Sequence, residues 1–300
     1  MLVLTVFTVY VVMDTFVITR VYGSADTAGA RQTETVQEDT TDDAQEDPVY
    51  IHDPVISANS YDDGNISVSL KEYTINSTQI YAAEIRLSSA ENLKTALAYD
   101  SYGRNVTAPT SEIADSVNAI LAINGDYYGA RESGYVIKNG VLYRSDAARD
   151  QEDLVIYRDG SFGIINESEV SAEQLISAGA EQTLSFGPAL VENGELTVGT
   201  YDEVGRAMTS NPRTAIGIRA DGTYLFVVSD GRTEESEGLS LYELAEFMQS
   251  IGAVTAYNLD GGGSSTMVLN GTVVNDPVGG HAGHGTGSER SVSDIVYIGY

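Results

Sequence analysis

The chain has 300 residues, no cysteine, and 44 acidic against 16 basic residues, for a formal net charge of −28 at pH 7. That balance argues against nucleic acid and anionic membrane surfaces as partners, and the missing cysteine excludes disulfides, thiolate metal sites and a cysteine nucleophile. With 42% hydrophobic residues, the length suffices for one sizeable core.

Residues 1–20 are an apolar run broken mainly by Asp14 and a few threonines, and about 20 residues is just enough to cross a bilayer. The run lacks a basic leader, and only Ala25 and Ala28 hint at a cleavage site. It reads as a transmembrane anchor or signal segment, so a membrane is expected as a partner through this segment and the rest of the chain is expected outside the cytoplasm. Residues 21–50 hold eight acidic groups and one basic group with hardly any large apolar side chain. Such a stretch cannot bury enough surface to offset its ordering entropy, and it is expected to be an acidic flexible linker.

Residues 51–300 carry the folding signals. Asn139-Gly140, Asp159-Gly160, Asn193-Gly194, Asp221-Gly222 and Asn270-Gly271 each join two apolar runs, the strongest local signal for a hairpin. Helices are fewer. From Ser240 to Ile251, Leu241, Leu244, Ala245, Met248 and Ile251 share one face, Ser240 with Glu243 forms a capping box, and Gly252 supplies the stop. Ser171 with Gln174 repeats the device up to Gly179, and residues 111–117 suggest a third helix. The pattern predicts one α+β domain with a mixed, mainly antiparallel sheet and several helices.

Several strands end in polar clusters. Ala119–Asn124 leads into Gly125-Asp126-Tyr127-Tyr128, Tyr224–Ser229 into Asp230-Gly231-Arg232, and Ala253–Leu259 into Asp260-Gly261-Gly262-Gly263-Ser264. Asparagine, aspartate and tyrosine at strand ends suit sugar hydroxyls and ring faces, which points to Asn124, Gly125, Tyr127 and Asn258. Successive glycine N–H groups can hold an anion; the same glycines would equally serve a turn capped by Asp260. Arg213, at the mouth of Thr214–Arg219, could fork onto a phosphate or carboxylate, or form a surface salt bridge. His281-Ala-Gly-His284 lies in a glycine-rich loop with no helix to align the rings, which argues against a metal pair, and no Gly-x-Ser-x-Gly elbow is present.

Taken in order, Asn124-Gly125, Ser185-Phe-Gly-Pro-Ala-Leu190, Arg213-Thr-Ala-Ile-Gly217, the 240–251 helix, Asn258 to Met267 and Glu289-Arg290 resemble the phosphodiester glycosidase family over roughly residues 70–300. The resemblance implies an exported α+β hydrolase that cleaves the anomeric bond of a sugar 1-phosphodiester, here of a cell-wall or exopolysaccharide glycan. Many members carry an aromatic after Asn-Gly-Gly; this chain instead has Gly125-Asp126-Tyr127-Tyr128.

On this reading Arg213 and Arg290 hold the phosphate, with the N–H groups of Gly261, Gly262, Gly263 and Ser264. Asp260 or Asp126 activates water or attacks directly, and Asp230 orients the sugar. Two alternatives stay open: a glycosidase acting on a phosphate-free glycan such as peptidoglycan, and a non-catalytic glycan-binding module. No cofactor is implied; a calcium ion at Asp230 or Asp260 would need a loop motif the sequence lacks.

Overall fold

The computed structural model describes residues 19–24, 52–203, 210–279 and 287–300. Nearly all of the expected anchor, residues 25–50 of the expected linker, residue 51, and the His281–His284 pair lie outside these. At the border of anchor and linker, Arg20–Ser24 forms a strand paired antiparallel with Ser101–Arg104. Among the described residues no helix is long and apolar enough to cross a membrane.

The five hairpins form where Asn-Gly and Asp-Gly stand, by two different turns. In the three Asn-Gly turns both central residues have positive φ, for example 51° at Asn139 and 74° at Gly140, the condition for a type I′ turn. In the two Asp-Gly turns only the glycine does. There Gly222 N–H bonds back to Arg219 O at 3.0 Å while Arg219 N–H bonds to Thr223 O at 2.9 Å, the longer hairpin in which a turn is followed by one left-handed residue.

These hairpins assemble into two main sheets. A nine-stranded sheet runs from edge to edge as Glu195–Leu196, Ala189–Glu192, Ala253–Asn258, Arg213–Arg219, Tyr224–Ser229, Thr78–Leu87, Ile66–Ile75, Ser60–Asp62 and Val55–Ser57. A five-stranded sheet runs as Thr272–Val273, Met267–Leu269, Leu121–Asn124, Asp294–Ile298 and Leu93–Leu97. Glu152–Tyr157 with its neighbours Phe162–Asn166 and Ala180–Leu184 makes a third, smaller sheet. Every pairing between described strands is antiparallel, and the one parallel bridge, Val278 to Ser288, is isolated. The parallel part expected of a mixed sheet is therefore not found among them, because short turns rather than helical crossovers join most neighbours.

The sheets pack face to face. Ile85, Phe226, Val228, Ile216 and Tyr257 of the large sheet meet Leu121, Ile123, Met267 and Val296 of the five-stranded sheet and Leu154 and Ile156 of the smallest. On the far side of the large sheet, Leu225, Val227 and Ala215 pack under the helix Leu241–Ser250. This double burial explains why Tyr224-Leu-Phe-Val-Val is apolar at every position. The helix lies so close that a Cβ at Gly217 would fall 2.7 Å from Met248 Cε. Both predicted capping boxes, at Ser240 and Ser171, are formed. The third helix, Thr110–Ser116, has no side-chain cap of its own; Glu289 accepts the Ser111 N–H at 2.9 Å and also its hydroxyl. A carboxylate at a helix start is favourable, and here it fixes the segment that delivers Arg290.

Candidate active site

The chain passes from the large sheet to the five-stranded sheet through Asp260–Thr266. Where it crosses, Asn124 is wholly buried and works as a clamp. Its amide donates to Asp260 O at 2.6 Å, while its oxygen accepts from Thr214 Oγ1 at 2.8 Å and Thr266 N–H at 3.2 Å. Expected to touch substrate, Asn124 instead sets the position of Asp260. Gly125 is likewise structural: a Cβ there would collide with the Asp294 carboxylate.

Asp260 Oδ2 accepts from Ser264 Oγ at 2.7 Å and from Arg290 Nη2 at 2.8 Å, and Arg290 Nε reaches Ser264 Oγ at 2.7 Å. Asp260 Oδ1 has no hydrogen-bond partner among the described residues. The three glycines serve close approach: a Cβ at Gly261 would lie 2.9 Å from Pro212 O, at Gly262 3.1 Å from Arg232 Nη2, and at Gly263 3.0 Å from Gly279 Cα. The expected anion nest is closed at two of its four donors. Gly262 N–H is bonded to Pro212 O at 2.8 Å and Ser264 N–H to Gly261 O at 3.2 Å, so those donors are already committed.

Two recesses meet at Asp260 and Arg290. The smaller, of about 160 Å³, is lined by Arg213, Arg232, Arg290, Phe186, Asp260 and Gly261, among others. Arg213 is held by Leu239 O at 2.9 Å and Glu203 at 2.7 Å. Arg232, which the sequence reading passed over, donates twice to Asn211 Oδ1, at 3.1 and 2.6 Å. Burial, then the neighbouring Arg290 and Arg213, lower its pKa from the ordinary arginine value, the mark of a guanidinium crowded by like charge. Three cations thus face one small space, with Asp260 and Glu203 as the carboxylates paired to them.

The larger recess, of about 440 Å³, is lined by Tyr127, Asp126, Thr107, Asp260, Arg290 and Ser293, among others. Tyr127 is 44% exposed and available to a ring face. Asp126, expected as a reactive carboxylate, stands at the wall of this recess but is sealed by its partners, its side chain 1% exposed. Its Oδ1 accepts Tyr128 N–H at 2.8 Å and its Oδ2 faces Ser185 N–H at 3.3 Å and Lys138 Nζ at 3.4 Å. Lys138 Nζ also pairs with Asp294 at 2.7 Å. One buried cation between two buried carboxylates leaves a surplus negative charge. Burial therefore raises the Asp294 pKa to about 7, with Lys138 pulling it down and Asp126 pushing it up.

The remaining expectations separate from this centre. Asp230 lines neither recess; its Oδ1 accepts from Asp276 N–H at 2.9 Å and Asn275 Nδ2 at 3.2 Å, and burial raises its pKa. Asn258 is buried and holds the Gly187 carbonyl at 2.8 Å, tying down the loop that carries Phe186. Neither lines the two recesses that meet at Asp260. Among the described residues no three histidine or carboxylate side chains gather to hold a metal ion.

Residues 117–299 match the family model described as phosphodiester glycosidase. A prophage-derived uncharacterised protein of Bacillus subtilis, YomE, is 34% identical over 195 residues, covering 63% of this chain and 29% of that protein. The mouse N-acetylglucosamine-1-phosphodiester alpha-N-acetylglucosaminidase is 29% identical over 212 residues, covering 64% of this chain and 40% of the enzyme. The chain therefore spans less than half the length of these curated relatives. The zebrafish enzyme of the same name, solved as a catalytic domain auto-inhibited by its pro-peptide, shares the fold with a TM-score of 0.62 at 21% identity, over 79% of this chain and 83% of that one.

Proposed function

Because this chain belongs to the phosphodiester glycosidase family, we propose that it hydrolyses the bond between the anomeric carbon of a sugar and its 1-phosphodiester oxygen. The observation that carries this reading is the position of Asp260 as the wall between a recess of three arginines and a larger recess with an exposed tyrosine. The phosphate lies among Arg213, Arg232 and Arg290, and the sugar lies against Tyr127, so the scissile bond spans Asp260.

Asp260 Oδ1 then takes a proton from a water that attacks the anomeric carbon, or attacks it directly to form a glycosyl ester that a water afterwards cleaves, freeing the sugar and the carboxylate. The bond from that carbon to the phosphate oxygen breaks with its electron pair, and a phosphomonoester leaves carrying a second negative charge. Phosphate is a stable leaving group, so stabilising that charge and the oxocarbenium-like transition state matters more than protonating the oxygen. Arg290 bridges the two events, since it already holds Asp260 Oδ2 and is 44% exposed to the cleft. Asn124 and Ser264 keep the carboxylate in place.

The same reading puts the enzyme outside the cytoplasm, held through residues 1–20 and acting on a cell-wall or exopolysaccharide glycan; the apolar run and acidic linker that follow it support this. The test compares N-acetylglucosamine 1-(nitrophenyl phosphate) with nitrophenyl N-acetylglucosaminide, each with and without EDTA. Free sugar from the phosphodiester alone, unaffected by EDTA, is the expected result. Cleavage of the plain glycoside alone overturns it.

A further inference from the structure

A third recess, of about 460 Å³, adjoins the sugar recess. The same two segments, 103–107 and 127–131, line both, Gly129 borders both, and Asn105 N–H to Gly129 O at 3.2 Å ties the segments together. Its walls are aromatic and cationic. Tyr102 packs with Tyr22 and Tyr143 at ring distances of 5.9 and 5.0 Å, and Tyr22 is 61% exposed. Arg131 donates to Gln151 Oε1 at 3.0 Å and Ser185 O at 2.7 Å. Arg144 donates to the Arg131 carbonyl at 2.7 Å and to those of Gly134 and Tyr128. Among the described residues neither guanidinium has a carboxylate partner. Glu132 and Asp146 also line the recess; Glu132 is paired to Arg104 at 2.7 Å. Seven of the chain's 13 arginines line the three adjoining recesses of a protein whose net charge is −28.

We infer that this recess binds the next repeat of a poly(sugar phosphate), so that the enzyme cleaves within a chain rather than only at an end. The inference rests on the proposed phosphodiester hydrolysis. Tyrosine rings take the apolar face of a sugar while their hydroxyls stay wet, and a guanidinium whose charge no carboxylate answers can take a phosphate. The recess borders the sugar pocket and not the three-arginine pocket, so its occupant precedes the scissile sugar on the non-reducing side.

The test uses two substrates: a sugar 1-(nitrophenyl phosphate), and the same molecule with one further sugar 1-phosphate on a hydroxyl of its sugar. Release of nitrophenyl phosphate from the longer one should show a kcat/KM about tenfold higher, mostly through KM, with the gain shrinking as salt is raised. The double variant Tyr22→Ala, Tyr143→Ala should lose the gain while cleaving the short substrate as before. Equal kcat/KM for the two substrates in the unaltered protein, or an equal loss on both in the variant, overturns the inference. Should neither substrate turn over, the hydrolase reading fails, and calorimetry decides the recess: tighter binding of the two-repeat molecule, lost in the double variant, upholds it, and equal binding refutes it.

Discussion

Arg290–Asp260 and Lys138–Asp126–Asp294 are built from the same chemistry and lie on either side of the sugar recess, yet they do opposite things. In the first, Arg290 is 44% exposed and Arg213 and Arg232 add positive charge that a ligand can answer. In the second, the lysine and both carboxylates are at most 2% exposed, so nothing from solvent can answer the charge and burial instead pushes the Asp294 carboxyl up toward neutral pH. On the proposed mechanism an ionic group is catalytic through what it leaves unpaired toward the cleft, and structural through what it seals. Removing one partner of a sealed set strands a charge, whereas removing a cleft group mainly removes reactivity.

The largest expected effect follows from Asp260→Asn, which should lower turnover of the sugar 1-phosphodiester on the order of 10³-fold or more with a thermal midpoint close to that of the unaltered protein. An unfolded variant, or one with full activity, would erase the distinction between the two ionic sets. Lys138→Met should lower stability in urea by about 3–5 kcal/mol, because it leaves two buried carboxyl groups without their cation. Arg232→Gln should reduce kcat/KM on the phosphodiester by about 10²-fold and leave the urea midpoint nearly unchanged.

The smallest effect is a pH dependence. An acid whose pKa is higher folded than unfolded gives stability that is complete below its unfolded pKa, about 4, and is lost as pH rises through its folded value. For Asp294 that folded value is about 7. Asp294→Asn removes this loss, so thermal melting should show the unaltered protein losing a few degrees relative to the variant as pH rises from about 4 to about 7.5. A constant difference across that range would show that the carboxyl does not hold its proton.

What the sequence made legible was local. Asn139-Gly140 and Ser240 with Glu243 act over two to four residues, and the hairpin and helix start they announce are formed. The close backbone approach beside Asp260 was legible too, from its three glycines, whereas Arg290 entered only through the family resemblance. The roles of Asn124 and Asp126 were not, because each is decided by partners far along the chain: Asp260, 136 residues on, for Asn124, and Lys138, Ser185 and Asp294 for Asp126. Arg232 stood in plain view after Asp230-Gly231, but only the fold shows that it turns toward Gly262 and the other two arginines. Lys138, beside the Asn139-Gly140 turn, looks like a solvent-facing hairpin residue until the sheets close over it.

The crossing held by Asn124 also bears on how the molecule is made. Hairpins and the capped helices can form early from neighbouring residues, but the Asn124 to Asp260 and Thr214 to Asn124 bonds join positions 136 and 90 residues apart, and such closures come late because their loop entropy must be met first. Pairings within the two main sheets, such as Tyr224–Ser229 with Thr78–Leu87 and Asp294–Ile298 with Leu93–Leu97, span still longer separations, so the site is expected to form only with the closed sheets. During refolding, turnover should return no earlier than the far-ultraviolet β-sheet signal, and turnover recovered ahead of that signal would refute this coupling of site to sheets.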